Sequence, residues 1–237
     1  MIVRHEGSAQ LLITQPEHAA LAGRIMRHWV AGGLPDSPRR TEILLAIDEH
    51  DHGWLTMDAA PLLDPRSGLV LDFMQVPDDV RRGVWPTGVE RLARVPYAAA
   101  LVAQHAIHVY RRYRPDPAWL PFFTDMEARR DRHLQADSTS LDLLLRDYPF
   151  LRLGDLASLV FCNGWKDPQE EAGYTVTLAG SRVVITPDPF GGRIVDIDIT
   201  ARVLPVPWPS ASSAEAAIAA APRRMIRGTA LYSALSA

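Results

Sequence analysis

Four side chains of the kind that hold metal ions, His18, the adjacent pair His50-Asp51, and Asp155, lie far apart along the chain, each on a segment that reads as helix. If they serve one site, the helices carrying them must converge, which restricts the fold to architectures that bring sequence-distant helices together. Histidine offers a neutral nitrogen lone pair and aspartate a hard oxygen, so ligands gathered from separate helices can hold a divalent ion inside a helical body.

The local pattern around each residue supports the placement. Thr14 is a capping residue before a helix starting near Pro16, and Leu21, Ile25 and Trp29 recur at helical spacing, with His18 three residues before Leu21. Gly32-Gly33 and Pro35 end that helix. A second begins near Arg40, where Ile43, Leu44 and Ile47 form an apolar face. His50 lies three residues beyond Ile47 and Asp51 four, so both point toward the same core. From Gly53 to about Pro86 the turn dipeptides predict a long loop with one short helix. Further helices are expected over about Tyr97–Tyr113, Pro117–Gln135, Ser140–Asp147 and Phe150–Asn163. In the first of these Leu101, His105, His108 and Arg112 share a face, with His105 the inward member.

After Gly173 the period changes. Tyr174–Leu178, Arg182–Thr186 and Arg193–Leu204 are rich in β-branched residues, with a hairpin turn at Ala179-Gly180-Ser181, which predicts about three antiparallel strands packed on the helical body. Pro205–Ser213 reads as a Pro/Ser-rich linker and Glu215–Ala221 as weakly helical before Pro222. The expected fold is therefore mostly α, a helical bundle with a small C-terminal antiparallel β element. Residues 1–172 form the helical domain and 173–237 an appendage with a tail packed on it.

Composition narrows the functional classes. The chain has 237 residues, 47% hydrophobic and 22% charged, which is ample for a buried core. A formal net charge of -3 gives no global attraction to nucleic acid or to an anionic membrane. Cys162 is the only cysteine, so no intramolecular disulfide and no thiolate cluster can form, in keeping with a cytoplasmic protein. No stretch approaches the roughly 18 apolar residues of a membrane span. No phosphate-binding glycine loop and no dinucleotide fingerprint is present.

The order His18, His50-Asp51, Asp155 resembles the HD-domain superfamily of metal-dependent phosphohydrolases over about residues 14 to 166. The stretch Glu49-His50-Asp51-His52-Gly53-Trp54, with Asp58, Pro61 and the later Pro187-Asp188-Pro189-Phe190, is similar to the bacterial domain-of-unknown-function family 3891 over nearly the whole chain. The resemblance implies an HD-like bundle in which His18, His50, Asp51 and Asp155 bind a divalent ion, manganese, iron, zinc or magnesium. His105 is the extra histidine best placed to join the chemistry, ahead of His108 and His133. His52 projects away from the ion, because neighbouring helical residues point about 100 degrees apart.

The function expected is hydrolysis of a phosphorylated small molecule, a phosphomonoester or phosphodiester such as a nucleotide, by metal-activated water. His105 and Asp58 are the catalytic candidates, Asp58 as a residue that orients water or steadies a ligand histidine. Arg24 and Lys166, the only lysine, are the candidate phosphate contacts, and Trp54 and Trp85 the candidate pocket walls. Two alternatives use the same residues: a non-catalytic HD-like protein that binds or senses a ligand, and a di-iron oxygenase. The plain structural alternative makes His18 and His50 hydrogen-bonded core residues, Asp51 a loop cap and Asp155 the partner of an arginine. Homo-oligomerisation is left open.

Overall fold

The computed structural model describes residues 1–206 and 214–233. Positions 207–213 of the expected Pro/Ser-rich linker lie outside the described residues.

The chain opens with two strands, β1 (Ile2–Glu6) and β2 (Ala9–Ile13), before any helix forms. The first helix, α1 (Gln15–Arg27), follows directly. Thr14 Oγ1 accepts from the Glu17 backbone N–H at 3.3 Å while the Glu17 carboxylate reaches back to Thr14, a reciprocal cap that fixes where strand gives way to helix. The helical layer continues with α2 (Arg40–Glu49), α3 (Leu55–Ala59), α4 (Asp78–Arg91), α5 (Pro96–Val109), α6 (Leu120–Asp137) and α7 (Leu141–Asn163). Then come β3 (Gln169–Glu171), β4 (Tyr174–Ala179), β5 (Arg182–Thr186), β6 (Val195–Pro205), α8 (Ala214–Ala220) and β7 (Arg223–Leu231).

The expectation of a mostly α bundle with a small C-terminal antiparallel element is overturned. About half the chain is helical, and seven strands form one mixed sheet that curls into a half-barrel, so the fold is not all-α. Its order is β1-β2-β6-β7-β5-β4-β3, with every neighbouring pair antiparallel except β5 and β7. Two strands come from the extreme N-terminus. The five-residue β1 and β2 would be marginal as an isolated hairpin, but β2 pairs with the eleven-residue β6, which supplies the long partner they need. Strand β7 carries arginine at 223, 224 and 227 and shows no clean alternation, yet it pairs with β6 from Arg223 to Ala230.

The core lies between the sheet and the helices. Along β6, Val195, Ile197, Ile199 and Ala201 are buried while Asp196 is exposed, the period-two pattern of a strand with one covered face. Helix α5 is buried continuously from Tyr97 to Ile107 and touches α2, α4, α6 and α7, so even its polar residues face protein. Helix α7 runs unbroken through Pro149, where two shorter helices are expected from sequence. Leu144, Tyr148 and Leu151 are all buried, and this continuous packing on both sides of the proline holds the axis together despite the missing backbone donor.

Two glycines set distances that matter for the site. A Cβ on Gly154 would lie 2.8 Å from Met26 Cγ and 3.1 Å from Ile47 Cγ2, so α7 approaches α1 and α2 closely at this residue. A Cβ on Gly53 would meet the Val84 carbonyl oxygen at 2.1 Å, so the turn after α2 lies directly on the backbone of α4. Among the described residues no helix is long and apolar enough to cross a membrane.

Candidate metal centre

Five ligand-type side chains meet where α1, α2, α5 and α7 come together. His18 sits in the second turn of α1, His50 closes α2 and Asp51 follows it, His105 lies in the last turns of the enclosed helix α5, and Asp155 is adjacent to Gly154 on α7. The two carboxylates stand among three imidazoles. His18 Nε2 is 3.1 Å from Asp51 Oδ2 and 3.5 Å from Asp155 Oδ1. His50 Nε2 is 3.6 Å from Asp51 Oδ2 and 3.4 Å from Asp155 Oδ1, and His105 Nε2 is 3.5 Å from Asp155 Oδ2. The rings stand edge to face, His18 on His50 at 5.1 Å and His50 on His105 at 5.2 Å.

The outer nitrogens decide which way the lone pairs point. His50 Nδ1–H donates to the Ile47 carbonyl at 2.8 Å, one helical turn back, which in the neutral ring leaves Nε2 as the acceptor. The Ser158 hydroxyl donates its single proton to the Asp155 carbonyl at 2.9 Å, so at 2.8 Å its oxygen accepts from His18 Nδ1–H. His105 Nδ1 lies 3.0 Å from the Tyr148 hydroxyl. Each inner nitrogen therefore faces the carboxylates, and His50 Nε2 is buried without a hydrogen-bond partner.

Such an arrangement is incomplete without positive charge. Burial works against the charged form of His50, but Asp51 and Asp155 outweigh it and lift its pKa from 6.5 to about 9. Burial pushes the Asp155 carboxyl up, yet His105 and His50 overcome this and hold it well below the usual carboxylate range. Asp51 is also lowered, its burial offset by His50 and His18. A proton or a divalent cation meets the same need.

The donor set fits a divalent ion. Two triads, His18-His50-Asp51 and His50-His105-Asp155, each present ligand atoms within 4.8 Å of one another. With bonds of about 2.1 Å, adjacent ligand atoms stand about 3.0 to 3.4 Å apart, close to the nitrogen–oxygen separations here. Mixed imidazole and carboxylate ligation suits manganese, iron or zinc better than magnesium.

The remaining candidates lie elsewhere. Asp58 Oδ1 is 2.6 Å from the Met1 ammonium and Oδ2 accepts from the Gln15 backbone N–H at 2.5 Å, so it fastens the start of β1 to the start of α1 instead of holding a ligand imidazole. Arg24 is exposed and pairs with Asp198 on β6. Lys166 borders a separate surface cavity with Arg4, His5 and Asp72. His52 turns outward to Glu49 at 3.3 Å. His108 packs against Tyr148, where burial and Arg111 lower its pKa to about 4, and neither it nor His133 joins the triads.

Asp51, His105 and Asp155 border a cavity of about 240 Å³, and Trp54, Trp85 and Trp165 form much of its wall. Gln15, Arg81 and Arg112 also line it, and sequence reasoning misses all three, as it misses Ser158 and Tyr148. Ser158 had a local signal, three residues after Asp155 on one helix face. Arg112 had one too, the helix face it shares with His105, whereas nothing in the chain order places Arg81 beside the cluster.

Comparison with curated proteins and with solved structures gives no significant match. A family model described as "Protein of unknown function (DUF3891)" matches residues 1–206, and the chain belongs to that family.

Proposed function

We propose that this protein is a metal-dependent hydrolase of a phosphate ester, with His18, His50, Asp51 and Asp155 as an HD-like ligand set. The observation that carries the reading is the convergence of three imidazole Nε2 atoms on two largely buried carboxylates at the floor of a cavity. A divalent ion held by these residues would supply a water acidified to near neutrality and would polarise a phosphoryl oxygen. The chain supplies the orientation. Ile47 and Ser158 fix the tautomers of His50 and His18, and Gly154 lets Asp155 reach both. His105 borders the cavity as well as Asp155 and is the residue suited to hand a proton to the leaving oxygen.

Elemental analysis of protein purified without an affinity tag, followed by a panel of phosphate esters, tests the reading. Bound divalent metal and phosphate release are expected, with both abolished in His50→Ala and Asp51→Asn. Metal-free protein whose stability neither substitution changes would overturn it, and ligand-induced stabilisation without product would instead assign a binding or sensing role. Asp155, whose two oxygens face His50 and His105 separately, offers a carboxylate bridge for a pair of ions, as a di-iron oxygenase requires, and an absorption band from bound iron would favour that second reading.

A further inference from the structure

The wall of the cavity leads away from the cluster in aromatic steps. His105 meets Trp85 at 5.7 Å between ring centroids, Trp85 meets Tyr110 at 6.1 Å, and Tyr110 meets Tyr113 at 6.3 Å. At the end of this series the Tyr113 hydroxyl accepts from two guanidinium groups, Arg81 at 3.2 Å and Arg112 at 2.8 Å. Arg81 also pairs with Asp78, but Arg112 has no carboxylate partner among the described residues, and the only carboxylates bordering the cavity are Asp51 and Asp155 at its floor. The rim carries unbalanced positive charge.

Hydrogen-bonding capacity points the same way. Arg81 and Trp85 lie one turn apart on α4, where Arg81 Nε is a buried donor without a partner and Trp85 Nε1 has only the Tyr110 hydroxyl to turn to. Buried donors are ordinarily satisfied, so this guanidinium beside the cavity marks a place for an acceptor the chain does not provide. The cavity is also small, below the range of about 300 to 1,000 Å³ typical of ligand pockets, which limits the body of a ligand to roughly one ring.

We infer that the substrate is a small phosphoester with a flat apolar body and a second anionic group remote from the bond that is cut. The phosphoester faces the metal ligands, the body lies among the tryptophans, and the far anion is received by Arg81 and Arg112. Planar guanidinium forks bind carboxylate and phosphate oxygens alike, so either anion satisfies the rim. This rests on the phosphohydrolase reading and adds the recognition that selects among phosphoesters.

The test compares phenylphosphonate with 4-carboxyphenylphosphonate, inert mimics that differ by one anion, binding to the metal-loaded full chain by quenching of tryptophan fluorescence. The carboxylated compound is expected to bind about tenfold tighter or more, the size of one charge-assisted contact. That advantage should disappear in Arg81→Gln and in Arg112→Gln, the latter on an exposed side chain whose loss leaves the core intact. Equal binding of the two compounds, binding of neither, or an advantage that persists in Arg112→Gln and in folded Arg81→Gln overturns the inference while leaving the hydrolase reading in place. Absence of bound metal together with no phosphate release from phenyl phosphate overturns the hydrolase reading, and this inference with it.

Discussion

Asp58 and Asp155 are both carboxylates withdrawn from water, but their surroundings balance them in opposite ways. Asp58 is held by the Met1 ammonium and the Gln15 N–H, yet burial outweighs both and raises its pKa. Asp155, with its side chain 17% exposed at the cavity floor, faces three imidazoles, of which His105 and His50 hold it strongly ionised. The first arrangement is complete and ties two segments together. In the second, once the rings are neutral, nitrogens and carboxylate oxygens face one another as acceptors and call for a cation, a proton or a metal ion, between them. Charge buried with its partner pins segments of a fold together, whereas charge buried short of a partner specifies a ligand.

The largest expected effect comes from removing each charge in turn. Asp155→Asn should abolish metal binding and cost about 3 kcal/mol in urea unfolding, because it leaves His50 buried beside a diminished counter-charge. Asp58→Asn should cost stability on a similar scale yet keep its metal. The contrast between the two sites fails if elemental analysis finds metal lost from the Asp58 variant or retained by the Asp155 variant.

A subtler probe leaves every ligand in place. Ser158→Ala removes the oxygen that accepts from His18 Nδ1, so metal affinity should fall by about 10- to 100-fold, measured by competition with a chelator. Stability should change by only about 1 kcal/mol. Unchanged affinity would mean that Ser158 does not set the orientation of His18.

The smallest effect is a drift with pH in the chelated protein. His50 has a folded pKa of about 9 against 6.5 unfolded, so its contribution is fully present below pH 6.5 and is lost as pH rises through 9. Asp51 and Asp155, both lowered, contribute above their ordinary 3.8 and lose that contribution as pH falls. Asp58 has the opposite sign, since its raised pKa means that ionisation costs stability. Melting temperature should therefore decline between pH 6.5 and 9 and decline less in His50→Gln, while metal affinity rises over the same interval as the ion displaces the proton. A flat profile for the chelated wild type would remove His50 as the proton holder.

The residues of the cluster were legible because each follows an apolar helical stripe. His18 precedes Leu21 by three positions and His50 follows Ile47 by three, so periodicity alone turns both inward. The sheet was less legible, since β1 contains Arg4, His5 and Glu6 and β7 is crowded with arginine. β1 is held by its neighbour β2, and the two join the sheet only because β2 pairs with β6 far along the chain, while β7 is held between β6 and β5; no local pattern encodes those longer pairings. Pro149 suggests a helix boundary that packing on either side overrides. Half of the cavity rim was hidden for a related reason: Arg112 adjoins Tyr113 in the chain, but Arg81 is brought to the same phenol oxygen only by the docking of α4 beside α5.

One missing methyl group bears on all of this. At Gly154 the backbone of α7 lies so close to the side chains of Met26 and Ile47 that only a hydrogen fits where a Cβ would stand, and the very next residue is Asp155. The reach of that carboxylate is thus gauged by an absence: any side chain at 154 would act as a shim, lifting the aspartate off both histidines together and opening the coordination sphere without touching a single ligand.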